Sequence, residues 1–216
     1  LTAQRLRRNQ HYWLSPKLVV LRSGMGQMAA QEGVNRLLHL EVQRLISWGC
    51  ATSLRADIPS GQLVLPRAIL DEQGVQYACD ASLLAALDPY RSCRGTVLRE
   101  LHLGAAPLLR NRQEKEAINP GGLLVSADME SAAVARGARQ AGVPFAVVRA
   151  VADDLYTDLP PSLHYAMDTD GQLSIWRLGV QLTLRPQDLP GLLRLQQKFR
   201  LATASLRLAR ALLLDK

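Results

Sequence analysis

Two acidic clusters, Asp128-Met129-Glu130 and Asp153-Asp154, are the residues of this chain whose types and spacing suit chemistry. Adjacent carboxylates such as Asp153 and Asp154 interact, each charge favouring retention of a proton on the other. An ionised carboxylate such as Glu130 accepts hydrogen bonds from hydroxyl groups. A third candidate is Ser23-Gly24-Met25-Gly26, whose glycines let backbone pass close to a ligand. The helix start after it offers free N–H groups to an anion or a hydroxyl. Acids at a helix start also cap it and answer its dipole, and acids after a strand are ordinarily solvated. The clusters alone therefore leave a structural role open.

The elements that must position these groups can be read around them. Asp128-Met129-Glu130 stands at the mouth of a helix in which Ala132, Ala133, Ala135 and Ala138 accompany Val134, small enough to pack closely on a sheet. Gly142 ends that helix. Pro144 opens VPFAVVRAV, whose unbroken apolarity suits a strand covered on both faces. That strand delivers Asp153 and Asp154 at its carboxyl end, where open α/β sheets bind ligands, so Glu130 and Asp153 are expected to meet over one site.

Elsewhere the pattern predicts strands over Lys17 to Arg22, Val42 to Trp48, Gln62 to Leu65 and Thr96 to Leu103. Helices are expected from about Gln27 to Leu40, over Ala81 to Leu87, and over Arg110 to Ile118, the last solvated on one face. Residues 1–14 are basic and show no clear period. The loop Gly24-Met25-Gly26 with Ala29 reads G-x-G-x-x-A, but the next strand ends Ser47-Trp48-Gly49-Cys50 without the acid that dinucleotide binding needs. Asp170-Gly171 marks a turn, followed by a further strand. A terminal helix over residues 191–216 places Leu192, Leu195, Phe199, Ala202, Leu206, Ala209 and Leu213 on one stripe, for core packing, a dimer face or a membrane interface.

With 216 residues the chain suits one domain with a sizeable core. Three cysteines, Cys50, Cys79 and Cys93, lack metal-ligand spacing and suit a reducing, cytoplasmic compartment. No apolar run approaches the ~18 residues of a membrane span. The formal charge of +7 is concentrated at the ends, with +5 in residues 1–31 and +5 in residues 191–216, leaving the centre at −3. Basic ends suit an anionic surface, but without interleaved aromatics they give no basis for nucleic-acid binding.

DMESAAVA followed by GVPFAVVRAVADD resembles the D/E-M-E and R-A-I-S-D signatures of the nucleoside phosphorylase and nucleosidase superfamily. LVVLRSGMGQMAA resembles its S-G-I-G-K-x-A-A turn, and LISWGCATSL occupies the place of its glycine-rich element, with Thr52 and Ser53 where glycines stand. The tail, Asp153 with Leu159-Pro160-Pro161, a D-x-D-G turn, a strand and a Leu/Arg-rich helix, is most similar to the hopanoid-associated phosphorylases, thought to remove adenine from adenosylhopane.

The resemblance implies a three-layer α/β/α sandwich with a mixed, twisted central sheet, working as a homodimer without a cofactor. It implies release of adenine from an adenosyl-bearing lipid or small molecule, with methylthioadenosine and adenosylhomocysteine nucleosidase or purine phosphorylase activity as alternatives. A non-catalytic nucleoside-binding or membrane-docking relative is the alternative of another class. Breaking a ribosyl C1′–N9 bond needs an acid at the purine N7, a grip on a sugar becoming oxocarbenium-like, and a nucleophile opposite. By resemblance Asp153 is the acid, Glu130 the ribose carboxylate and Met129 the thioether under the sugar, with Asp128, Ser23, Gly24, Met25 and Gly26 completing the substrate site.

Ala152 replaces the serine before the acid. The nucleophile pocket falls to Gly49, Cys50 and Arg22, because Ser47 stands where phosphorylases carry a phosphate-binding arginine. That favours water over phosphate as co-substrate. Related nucleosidases take their water-activating Glu from the first strand. No acid precedes Glu32 here, so that strand is expected to lie outside this sequence. Arg99 to Gly104 would flank the base, with His102 a half-buried strand residue.

Overall fold

The computed structural model describes residues 6–88, 100–166 and 174–214. Cys93, Arg99 and the Asp170-Gly171 turn therefore lie outside the described residues. A seven-stranded mixed sheet is flanked by helices on both faces, the three-layer sandwich that the sequence resemblance implies. Its strand order is β4 (Leu63–Val64), β9 (Phe145–Asp153), β3 (Leu45–Ser53), β8 (Leu124–Ala127), β7 (Leu101–Leu103), β5 (Ala68–Leu70) and β6 (Gln76–Ala78).

Strand β9, between β4 and β3, explains the layering. Ala146, Val148, Ala150 and Ala152 pack toward α2 (Ala81–Leu87) and α7 (Leu189–Leu214), while Phe145 and Val147 pack toward α1 (Gly26–Leu38) and α4 (Ser131–Ala141). The period of two thus feeds two cores, and that is why the strand is apolar throughout. Arg149 belongs by the same alternation to the α4 side. Each fully buried valine there stabilises the fold by about 1.5–3 kcal/mol.

Helix α4 approaches α1 closely because Gly137 lacks a side chain: a Cβ there would lie 2.4 Å from Val34 Cγ1. Gly142 ends α4 in the left-handed conformation at φ 66°, as the sequence predicts.

Three elements depart from expectation. Strand β3 runs on through Gly49 to Ser53 instead of ending at Trp48, because Thr52 and Ser53 continue the extended backbone and pair with Ala127 and Ser126 of β8. Residues 175–184, expected as a strand, form the helix α6 (Ile175–Leu184). Their alternation Leu178, Val180, Leu182, Leu184 imitates a strand, yet the Ser174 hydroxyl accepts from Arg177 N and caps a helix. The Lys17 to Arg22 strand is β2 (Leu18–Leu21), paired with the unexpected β1 (His11–Ser15) in a separate two-stranded hairpin. Before Thr52, the edge of β3 facing away from β9 has no ladder partner among the described residues.

Candidate active site

The turn before α1 and the acidic turn before α4 meet directly. Glu130 Oε1 accepts from Gly26 N at 2.8 Å, so one of the N–H groups expected to be free at the α1 start is used by Glu130 itself. Gly26 needs its glycine, with φ at +84°, and Met25 precedes it in extended conformation. Gln27 Nε2 bridges from α1 to the carbonyls of Gly104 and Met129. Residue 104 must be glycine, because a Cβ there would stand 2.6 Å from Ala132 N. Gly24 is crowded by protein: a Cβ there would lie 2.6 Å from the Arg8 guanidinium. Burial first, then the charge of Asp128, push the Glu130 carboxyl above its ordinary range, against a smaller opposite pull from Arg149.

A cleft of about 430 Å³ opens beside Glu130, between β2 and the unpaired edge of β3. The volume is that of a small-molecule site, about 300–1,000 Å³. Ser23, Gly24, Arg22, Gly49 and Cys50 line it together with Glu130, so these six candidate residues share one cavity. Its remaining wall is largely apolar, with Leu18, Val20, Leu37, Val42, Ile46 and Trp48. Arg22 is exposed and donates to Leu6 O at 3.3 Å. Burial pushes the Cys50 thiol up, so this cysteine stays a neutral wall residue.

Asp128 sits behind the cleft, buried. Its Oδ1 accepts from the backbone N–H groups of Glu130 and Ser131, and its Oδ2 from Arg149 Nε, Ser131 Oγ and His102 Nε2. Burial alone would push this carboxyl up, but Arg149 and then His102 outweigh it and hold it well below the usual carboxylate range. Five protein donors leave no acceptor site for a ligand, so Asp128 organises the turn that presents Met129 and Glu130. His102, expected half-buried, is fully buried between Asp128 and Ser126 Oγ.

Two basic residues at the site were missed from sequence. Arg149, also on the cleft wall, donates through Nη2 to Ser47 Oγ at 2.8 Å and to Ser131 Oγ at 2.9 Å. A guanidinium from β9 therefore stands at the β3 position where Ser47 cannot supply one, passing over Gly49, whose Cβ would meet Nη1 at 2.7 Å. The period of two in β9 was the available signal. The second is Lys115 of α3 (Arg112–Ala117), in the helix expected to be solvated. It is fully buried, 2.9 Å from Asp153 Oδ2 and 2.8 Å from each of the Asp154 and Thr157 carbonyls.

Asp153 is thus an ion-pair partner that also accepts from the Thr52 hydroxyl, and it does not line the cleft beside Glu130. Cys50 on the cleft wall feels the charges of both Arg149 and Asp153. Asp154, expected to be an unpaired like charge beside Asp153, is tied to Lys198 at 2.6 Å, Thr157 Oγ1 at 2.8 Å and Ser60 Oγ at 3.2 Å. Burial raises its carboxyl, but Lys198 and Thr157 more than offset this and bring it below the ordinary range. Among the described residues no cluster of His, Cys, Asp or Glu could hold a metal ion.

The mixed sheet between two helical layers and the Gly26–Glu130 clasp can now be set beside known proteins. The profile of the Phosphorylase superfamily matches residues 10–173, and the chain belongs to that family of phosphorylase and nucleosidase enzymes. No curated protein sequence matches it. A structure assigned as a methylthioadenosine nucleosidase, from Weissella paramesenteroides, is similar at TM-score 0.59 and 25% identity, over 63% of this chain and 70% of that one. S-adenosylhomocysteine nucleosidase from Streptococcus pyogenes, in complex with 5-methylthiotubericidin, matches at TM-score 0.57 and 24% identity, over 63% of this chain and 66% of that one. Futalosine hydrolase from Helicobacter pylori matches at TM-score 0.56 and 18% identity, over 62% and 69%. The last two likenesses establish the fold.

Proposed function

We propose that this protein cleaves the N-glycosidic bond of an adenosyl compound and releases adenine, with an adenosyl-bearing lipid of the hopanoid type as substrate. The observation that carries the reading is Glu130, anchored on Gly26 N at the mouth of a largely apolar cleft. In this reading the second carboxylate oxygen accepts from a ribose hydroxyl, an interaction that strengthens as positive charge grows on the sugar ring. Met129 packs under the sugar, and the apolar wall of Leu18, Val20, Ile46 and Trp48 takes an apolar substituent.

In this reading Asp153, carrying a proton in the substrate complex, turns from Lys115 into the cleft and donates toward the purine N7. Lys115 then stands where it stabilises the carboxylate that the proton transfer leaves. Water is the preferred nucleophile, because Arg149 is already neutralised by Asp128 and makes a weak phosphate clamp. We take the working unit to be a homodimer that meets its lipid at the cytoplasmic side of a membrane. Soluble methylthioadenosine or adenosylhomocysteine as substrate is the alternative favoured by the similar solved structures.

A reading of another class also has an observation in its favour. Asp153 already has Lys115 and Thr52 as partners and stands apart from the cleft, as it would in a nucleoside-binding relative without catalysis. Adenine release from an adenosyl lipid, methylthioadenosine and adenosylhomocysteine, each with and without phosphate, tests all of these. Preference for the lipid without need of phosphate is expected. A preference for the soluble nucleosides would replace the lipid assignment, and absence of release from every substrate would leave the binding reading in force.

A further inference from the structure

The terminal helix carries a second apolar stripe that its sequence periodicity conceals. Leu195, Ala202 and Ala209 turn inward and are buried, as the sequence predicts. Leu189, Leu193 and Leu208 fall across the helix from them and are each about half exposed, at 48%, 51% and 54%, while Leu201, 54% exposed, lies beside Gly61. Phe199, assigned by its spacing to the inner stripe, is also exposed, at 44%. On α6, Trp176, Val180 and Leu184 repeat every four residues, with Trp176 80% and Leu184 69% exposed. A 3-10 turn over Pro186–Asp188 joins α6 directly to α7.

The charge around these stripes has one sign. Arg177, Arg185, Arg194, Arg200, Arg207 and Arg210 form no ion pair among the described residues, and Arg185 lies over the Tyr165 ring at 5.2 Å. The single acid in residues 174–214 is Asp188, whose carboxylate accepts from Ser162 N at 2.9 Å. Lys198 faces inward, on Asp154. By helical spacing Arg200 and Arg207 flank the outer leucines on one side and Arg194 on the other.

We propose that the exposed stripes of α7 and of α6, joined through the 3-10 turn, dock on an anionic lipid surface, the leucines and Trp176 entering the headgroup boundary and the arginines meeting lipid phosphates. The charge decides among occupants. A second copy placed by a twofold axis would bring the arginines of one chain against those of the other. A nucleic acid would answer the arginines but leave the leucines without a partner. An anionic bilayer answers both. Among the described residues no helix is long and apolar enough to cross a membrane, so the contact is one of helices lying on the surface. Nothing in this proposal depends on the nucleoside chemistry.

Sedimentation of the whole protein with phosphatidylcholine vesicles, with and without phosphatidylglycerol, tests it, together with Trp fluorescence. The protein should bind the anionic vesicles with a blue shift that Trp176→Ser reduces, and binding should weaken in high salt. Arg200→Gln with Arg207→Gln should lower the partition constant by roughly tenfold or more, since each basic residue contributes about fivefold at such a surface. Leu193→Gln with Leu208→Gln, both at exposed positions, should abolish binding while the thermal midpoint holds. Absence of binding, equal binding to neutral vesicles, or dissociation of an oligomer by the leucine pair without lipid would overturn the proposal.

Discussion

Lys115 Nζ lies 2.9 Å from Asp153 Oδ2, and the lysine side chain is wholly enclosed. Removing one member of a buried ion pair costs about 3–5 kcal/mol, because the other is left without its counter-charge. Lys115→Met should therefore lower stability by about that amount in urea unfolding. The double variant Lys115→Met with Asp153→Asn should recover part of the loss. Strictly additive effects would show that the pair does not interact energetically.

The Glu130 carboxyl titrates above its ordinary range because of burial and the nearby Asp128 charge. The proton is thus retained to a higher pH than usual, and the ionised form needed to accept from a ribose hydroxyl appears only above that point. Activity should show an acid limb lying above the ordinary Glu value of about 4.3, rising with pH. Glu130→Gln should remove the limb and lower kcat/KM. A limb unchanged in that variant would assign the titration to another group.

Asp128 contributes in the opposite direction. Its folded-state carboxyl is depressed, so its stabilisation is full above the unfolded value of about 3.9 and is lost as pH falls through the folded value. Unfolding free energy should decline from about pH 5 downward. Asp128→Ala, which leaves Arg149 buried without its partner, should cost about 3–5 kcal/mol at neutral pH and flatten the acid decline. Urea titrations at several pH values measure both.

Gly49 lets the Arg149 guanidinium cross β3 to Ser47, and a Cβ there would stand 2.7 Å from Nη1. Gly49→Ala should cost about 1–3 kcal/mol through overpacking. The same substitution at Gly179, where a Cβ meets nothing within 4 Å, should be neutral or slightly stabilising. Thermal unfolding of the two variants compares them.

Local patterns carried much of the architecture. The apolar run ending at Asp153, the Gly142 cap and the turn before α1 all fold where propensity and spacing put them. Long-range polar geometry was not legible. Lys115 sits in a helix whose composition reads as solvated, and only the fold brings it to Asp153, 38 positions away. Asp154 looked like a second acid until Lys198 arrived from the terminal helix. Arg149 is hidden in a strand that reads as wholly apolar, and its partner Asp128 looked like a ligand-binding acid. In each case a charge is neutralised by a residue distant in sequence, which no local period records.

Adenine release by Asp153→Asn, set beside the parent protein on the same adenosyl substrate, tests the account most directly. With Asp153 as the proton donor to N7, the rate per folded molecule, read below the variant's lowered thermal midpoint, should fall about a hundredfold to ten-thousandfold. Release at the parental rate would contradict the assignment of the acid and, with it, the catalytic reading of this site.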